Sequence, residues 1–155
     1  MRPQAHAAVA ATTFSPPFGE LGRGPGPSAA IFCAMDTKSP PRKSSLELEA
    51  KEIKEPWRPR TIGKANGQVL KLAKMKGSFI WHCHRDEDEA FLGVSGKVRI
   101  EFRDGSVDLG PGDLVVVPRG VEHRPVSEDG ALVLLFTPEG IRNTGNIEDP
   151  VYTAP

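Results

Sequence analysis

Apolar and polar residues alternate along much of the second half of the chain, most clearly from Lys97 to Arg103. Val98, Ile100 and Phe102 take every other position there, with Arg99, Glu101 and Arg103 between them. One face therefore meets a core and the other meets water. Ser95-Gly96 turns the chain ahead of this strand. Asp104-Gly105 follows it and reads as a two-residue hairpin turn, because both residues tolerate positive φ. The next strand is Leu114 to Val117, bounded by Pro111-Gly112 and Pro118-Arg119-Gly120. A last strand, Ala131 to Thr137, is apolar on both faces and predicts double burial, either within the monomer or at a dimer interface. Many short strands without exposed edges predict an all-β closed barrel. Helical character is confined to Ser45 to Ile53, with Ser45 as N-cap, acids in the first turn and Pro56 as the stop.

Residues 1 to 44 break this pattern, with Pro16-Pro17, Gly22 to Pro27, Pro40-Pro41 and only two acids, Glu20 and Asp36. The composition predicts a disordered tail. Scarce acids beside Arg2 and Arg23 would also suit a transit peptide over residues 1–34, directing the chain to a plastid or other organelle. Alternatively Met35, followed by Asp-Thr-Lys, is the true start. The organisation expected is thus a tail, 1–44, and one domain, 45–155, with its barrel core over roughly 62–138.

Lys plus Arg and Asp plus Glu both number 20, so the formal charge is zero. That balance argues against nucleic acid or an anionic membrane as partner and leaves a small molecule. No apolar run approaches the ~20 residues that span a bilayer. Cys33 and Cys83 are too few for a disulfide framework, so a reducing compartment, the cytoplasm, is the default.

The candidate chemistry lies in the histidines. Of four, only His6 falls in the tail, and the other three sit at two punctuated places. His82 and His84 are two apart in Ser78 to His84, which reads as strand, so their imidazoles project from one face and can converge on an ion. Cys83 then points away and packs. Glu89 follows the polar turn Arg85 to Asp88 and can return a carboxylate to the same ion, although Glu87 shares its parity. His123 arrives past the Pro118-Arg119-Gly120 turn. Asp86 and Asp88 read as solvated turn charges.

Two stretches resemble the paired motifs of the cupin superfamily. Gly77-x4-His82-x-His84-x4-Glu89-x6-Gly96 is similar to the first and Gly112-x5-Pro118-x-Gly120-x2-His123 to the second. One residue is missing between Gly77 and His82 relative to the usual pattern, and Ser127 stands where many members have Asn; neither removes a ligand. Motif spacing favours Glu89 over Glu87. His84 to Glu89, Pro118 to His123 and Asn143-Thr-Gly-Asn146 further resemble small single-domain cupins labelled as similar to mannose-6-phosphate isomerase. The resemblance implies a double-stranded β-helix (jelly roll) and one divalent metal ion on His82, His84, Glu89 and His123. It also implies a homodimer.

Three imidazoles and a carboxylate leave open positions on an octahedral ion and suit Fe, Mn, Ni, Co or Zn. The expected function is an enzyme on a small organic molecule, of dioxygenase or isomerase/lyase type. The alternatives are a non-catalytic binding or sensing module, or a metal that only stabilises the fold. Tyr152 is the single tyrosine and lies near the C-terminus, which argues against cysteine dioxygenase and tyrosine-dependent lyases. Arg119 on the barrel rim is the best cation for a substrate, ahead of Arg99 and Arg124. Trp81 and Phe91 are candidate lining for the pocket mouth.

Overall fold

A computed structural model describes residues 41–153. The transit-peptide reading, the alternative start at Met35 and Cys33 lie outside the described residues, as does nearly all of the expected tail. The elements in chain order are α1 (Leu46–Glu52), β1 (Arg60–Ala65), β2 (Gln68–Ser78), β3 (Glu89–Gly96), β4 (Val98–Phe102), β5 (Gly105–Leu109), β6 (Leu114–Val117) and β7 (His123–Pro138). No helix among the described residues is long and apolar enough to cross a membrane.

All pairings are antiparallel, and β7 is the spine. It runs beside β2 from Gln68↔Pro138 to Ser78↔Val126. Its C-terminal half also pairs with β3, while its first residues, His123 to Val126, pair with β4. β1 and β6 flank this array, in the order β1-β2-β7-β3-β6, and β5 pairs with β4. One strand thus serves both layers of the expected jelly roll.

The strand carrying Val98, Ile100 and Phe102 is where the alternation places it. Its surroundings differ in two ways. Ser95-Gly96 hands the chain to the other layer instead of closing a hairpin, since β3 pairs with β6 and β7 and β4 with β5 and β7. The β4–β5 turn is Arg103-Asp104, closed by the pair Phe102↔Gly105. Neither Asp104 nor Gly105 has positive φ, and the Asp-Gly pair straddles the end of the turn instead of forming it. A left-handed turn occurs instead at Asn66 (φ 52°) and Gly67 (φ 76°), which join β1 to β2 through Ala65↔Gln68.

The last strand begins at His123, well before Ala131, and its tail is not doubly buried. Val133, Leu135 and Thr137 face inward and are buried, whereas Leu132 and Leu134 are half-buried and Phe136 is 40 % exposed. The helix also differs in detail. Ser45 has the extended N-cap backbone, but its side chain makes no cap hydrogen bond. α1 lies against β2 and is tied there by Lys74 Nζ donating to the Ile53 carbonyl at 2.8 Å.

The core fills the space between the layers with Ala73 and Met75 of β2, Phe91 of β3, Val98 and Ile100 of β4, and Val133 and Leu135 of β7. Each large apolar side chain removed from water there contributes about 1.5–3 kcal/mol. Ile100 is completely buried, so Ile100→Ala is expected to cost about 2–5 kcal/mol in chemical denaturation. Arg99→Ala, on the outer face of the same strand, is expected to cost under about 1 kcal/mol.

Candidate metal centre

Past Ser78 the chain leaves β2, and the expected strand through His84 is irregular apart from one isolated bridge, His82↔His123. Its two hydrogen bonds run from His82 N to His123 O at 3.1 Å and from His123 N to His82 O at 2.9 Å. This pairing sets the two rings side by side, with centroids 4.4 Å apart. The Gly120 amide donates to the His84 carbonyl at 2.6 Å and so joins the second histidine to the Pro118-Arg119-Gly120 turn. Glu89 opens β3 opposite Val117 and faces inward.

The segment after β7 completes the frame. Cys83 N donates to Asn146 Oδ1 at 2.9 Å, and Asn146 N donates to the Cys83 carbonyl at 3.0 Å. The preceding residue must be glycine. A Cβ at Gly145, where φ is 52°, would stand 2.2 Å from the Cys83 carbonyl oxygen. This is the physical role of Asn146 in the Asn143-Thr-Gly-Asn146 stretch. Asn143 Nδ2 donates to the carbonyls of Tyr152 (2.8 Å) and Trp57 (3.3 Å), which ties the segment after β7 to the residues ahead of β1.

The structure brings His82, His84, Glu89 and His123 together, all buried, each offering one ligand atom, with these atoms within 4.8 Å of one another. The Nδ1 atoms of His82 and His123 donate to the carbonyls of Ile80 (3.1 Å) and Val121 (3.0 Å), two residues back in each case. That fixes the rings and leaves Nε2 as the basic atom. Glu89 Oε2 lies 3.2 Å from His84 Nε2 and 3.4 Å from His123 Nε2. None of these three atoms has a partner in hydrogen-bond geometry, and neither does His84 Nδ1. An unsatisfied buried polar group costs about 1–3 kcal/mol. A divalent cation would answer the convergent Nε2 and Oε2 atoms together, and three imidazoles with a carboxylate are a suitable donor set.

The electrostatics agree with that use. Burial alone would raise the Glu89 carboxyl, but the imidazoles of His123 and His84 outweigh it and hold the group at about 2. Burial, aided by His123, lowers His82 to about 4 against the opposing pull of Glu89. At neutral pH the carboxylate is therefore ionised and His82 is neutral, the forms that bind a metal.

The other sequence candidates separate. Cys83 is half-buried and, like Glu87, stays outside the cluster. Arg119 is exposed, and both its Nε (3.3 Å) and its amide (2.9 Å) bond to Asp88 Oδ1 on the surface. Trp81 lies under the guanidinium groups of Arg103 and Arg124, with carbons 4.0 and 5.0 Å from its ring centroid. Phe91 alone of the three substrate candidates lines a cavity beside the cluster. Tyr152 packs on Phe79 at 5.0 Å, and Phe79 in turn meets His82, so the tyrosine lies nearer the centre than its place in the chain suggested.

A cavity of about 510 Å³, lined by His84, Arg85, Glu87, Arg142 and Asn146, reaches one side of the cluster, and two small cavities adjoin Glu89. One, about 30 Å³, is largely apolar, with Trp57, Met75, Phe79 and Phe91 in its wall beside His82 and Glu89. The other, about 10 Å³, brings the polar side chains of Lys71, Thr137 and Asn143 beside His84 and Glu89, with Leu135 and Ile141 supplying apolar wall. Sequence reading missed Trp57, Lys71 and Thr137. A signal for Trp57 exists only in three dimensions, where it holds a left-handed backbone (φ 64°) that a bulky residue seldom adopts.

With the geometry in hand, comparison with known proteins places the chain. The cupin domain family matches residues 69–138. The protein YdbB of Bacillus subtilis (strain 168) is 34% identical over 84 residues, 54% of this chain and 74% of YdbB. The chain belongs to the cupin superfamily. A solved cupin-2 domain containing protein from Shewanella frigidimarina ncimb 400 is 33% identical, with a TM-score of 0.61 over 62% of this cupin and 94% of that chain. Hydroquinone 1,2-dioxygenase from Sphingomonas sp. TTNP3, solved with 4-hydroxybenzoate bound, shares the fold at 20% identity and a TM-score of 0.53, over 63% of this cupin and 74% of that chain.

The pH response of the metal-free cupin follows from His82. The unfolded chain protonates this residue near 6.5 and the folded chain only near 4, so between these values the unfolded state holds more protons. Stability of the chelated protein is therefore expected to fall as pH is lowered from 6.5 to 4, by up to about 3 kcal/mol. Urea unfolding across that range checks this, and a His82→Gln variant should show a flatter profile.

Proposed function

We propose that this chain is a metal-dependent cupin enzyme acting on a small organic molecule, with one divalent ion on His82, His84, Glu89 and His123. The observation that carries the reading is the convergence of buried Nε2 and Oε2 atoms that lack hydrogen-bond partners. Fe, Mn, Zn or Ni suits the donors equally. When bound, the ion would supply either oxygen chemistry, as Fe(II), or Lewis acidity, as Zn or Mn. The chain's own residues have three tasks. The Ile80 and Val121 carbonyls orient two rings, the apolar wall of Trp57, Phe79 and Phe91 excludes water, and Glu89 neutralises part of the cation's charge.

Dioxygenase-type chemistry has the better support. The hydroquinone dioxygenase offers a precedent on the same fold, whereas the three arginines best suited to a sugar phosphate are engaged elsewhere. Arg119 is held by Asp88 on the surface, and Arg99 and Arg124 are both engaged by Glu101. A non-catalytic binding module is the second reading, favoured by the small size of the two cavities that Glu89 lines. The working unit is residues 45–155, with its barrel core over 62–138, and the cytoplasm is its compartment.

The assembly is a homodimer of second copies meeting on the outer sheet face. The rows Val116-Ala90-Phe136-Leu70 and Leu114-Leu92-Leu134 follow from the strand register of β6, β3, β7 and β2 and hold no charged side chain. Leu114 and Val116 are 62% and 53% exposed there. An uncharged apolar patch suits another copy better than a charged partner.

Two experiments test this. Iron-loaded protein is expected to consume oxygen with at least one member of a panel of phenols and small organic acids. His84→Ala should lower that rate at least tenfold. Ligand binding that survives chelation, without turnover under Fe, Mn or Zn, would instead establish the binding module. Light scattering should give twice the chain mass for wild type and the single-chain mass for Leu114→Lys/Val116→Lys; a monomeric wild type refutes the dimer.

A further inference from the structure

The smaller cavity beside Glu89 is lined by two polar groups that metal binding does not use. Lys71 is a lysine on the inner face of β2, only 7% exposed, paired across the sheet with the core residue Leu135. Its Nζ donates to the Ile141 carbonyl at 3.3 Å. Thr137, at the end of β7, is 5% exposed, and its Oγ1 has no hydrogen-bond partner. Both line the same small cavity as His84 and Glu89. A buried hydroxyl without a partner is a defect in a finished core and a ready donor in a binding site.

From this juxtaposition we infer that Lys71 and Thr137 form an anion anchor, and that the ligand is a short-chain organic acid whose carboxylate they bind. The inference rests on the metal reading above, which it deepens by naming the substrate class. Charge balance supports it. With a divalent cation, Glu89 cancels one of two positive charges and Lys71 adds one, so the site carries a net charge of about +2 within a buried barrel, which a carboxylate would partly neutralise. The two spaces are narrow, about 10 and 30 Å³, which keeps the acid short and requires the side chains around them to give way when it binds. The carboxylate would reach Lys71 and Thr137 in the smaller cavity, and the rest of the molecule would extend past Glu89, which lines both cavities, toward Phe91 and Trp57.

The test uses the full chain loaded with Mn(II), with pyruvate as probe and pyruvamide as its uncharged counterpart, followed by calorimetry. Wild type is expected to bind pyruvate at least tenfold more tightly than pyruvamide. Lys71→Met should lose at least tenfold in pyruvate affinity and Thr137→Val a few-fold, with the manganese content of both variants unchanged. Equal affinity of wild type for the two probes overturns the anchor without recourse to any variant. So does unchanged pyruvate binding by Lys71→Met with its metal retained. Failure of wild type to hold manganese refutes the metal reading instead; pyruvate binding that Lys71→Met still abolishes in that state would uphold the anchor.

Discussion

Three imidazoles and a carboxylate are buried within reach of one another, and the barrel is arranged so that this costly cluster can exist. Taken out of water and left without hydrogen bonds, such groups oppose folding. Their cost is met in part by the hydrogen bonds that orient two of the rings, and in full only if a cation supplies the remaining interactions. The central constraint is thus electrostatic, and the apolar core around it provides the stability that allows it.

The surrounding structure works as a frame. A single bridge between His82 and His123 joins a segment that has left the sheet to the start of the longest strand. Glu89 is delivered from a third element, β3, whose inward parity also places Phe91 in the core. Asn146 then clamps Cys83 from outside, so the segment between the two histidines is held on both sides. Rigid placement by several independent elements lets a site keep its geometry before a ligand arrives.

Much of this was legible in the sequence because its signals are local and periodic. Val98, Ile100 and Phe102 had to face inward, and His82, His84, Glu89 and His123, the set that the cupin resemblance implies, lie together in the fold. What could not be read depends on non-local partners. Lysines at 71 and 74 fall on opposite faces of β2, and nothing in the sequence says which one turns into the barrel. The apolar run after Ala131 looked buried on both sides because hydrophobicity does not reveal that a sheet face lacks a cover. The strand expected at His82 is irregular since β2 ends at Ser78, and Asp104-Gly105 lost its turn by one residue to the register of β4 with β5.

X-ray absorption spectroscopy of the chain loaded with one equivalent of a divalent metal bears most directly on the cluster. The account predicts one ion per chain with about three imidazoles and an oxygen donor around it, and no sulfur, because Cys83 lies outside the set. A sulfur shell, or an ion bound without imidazole, would contradict it.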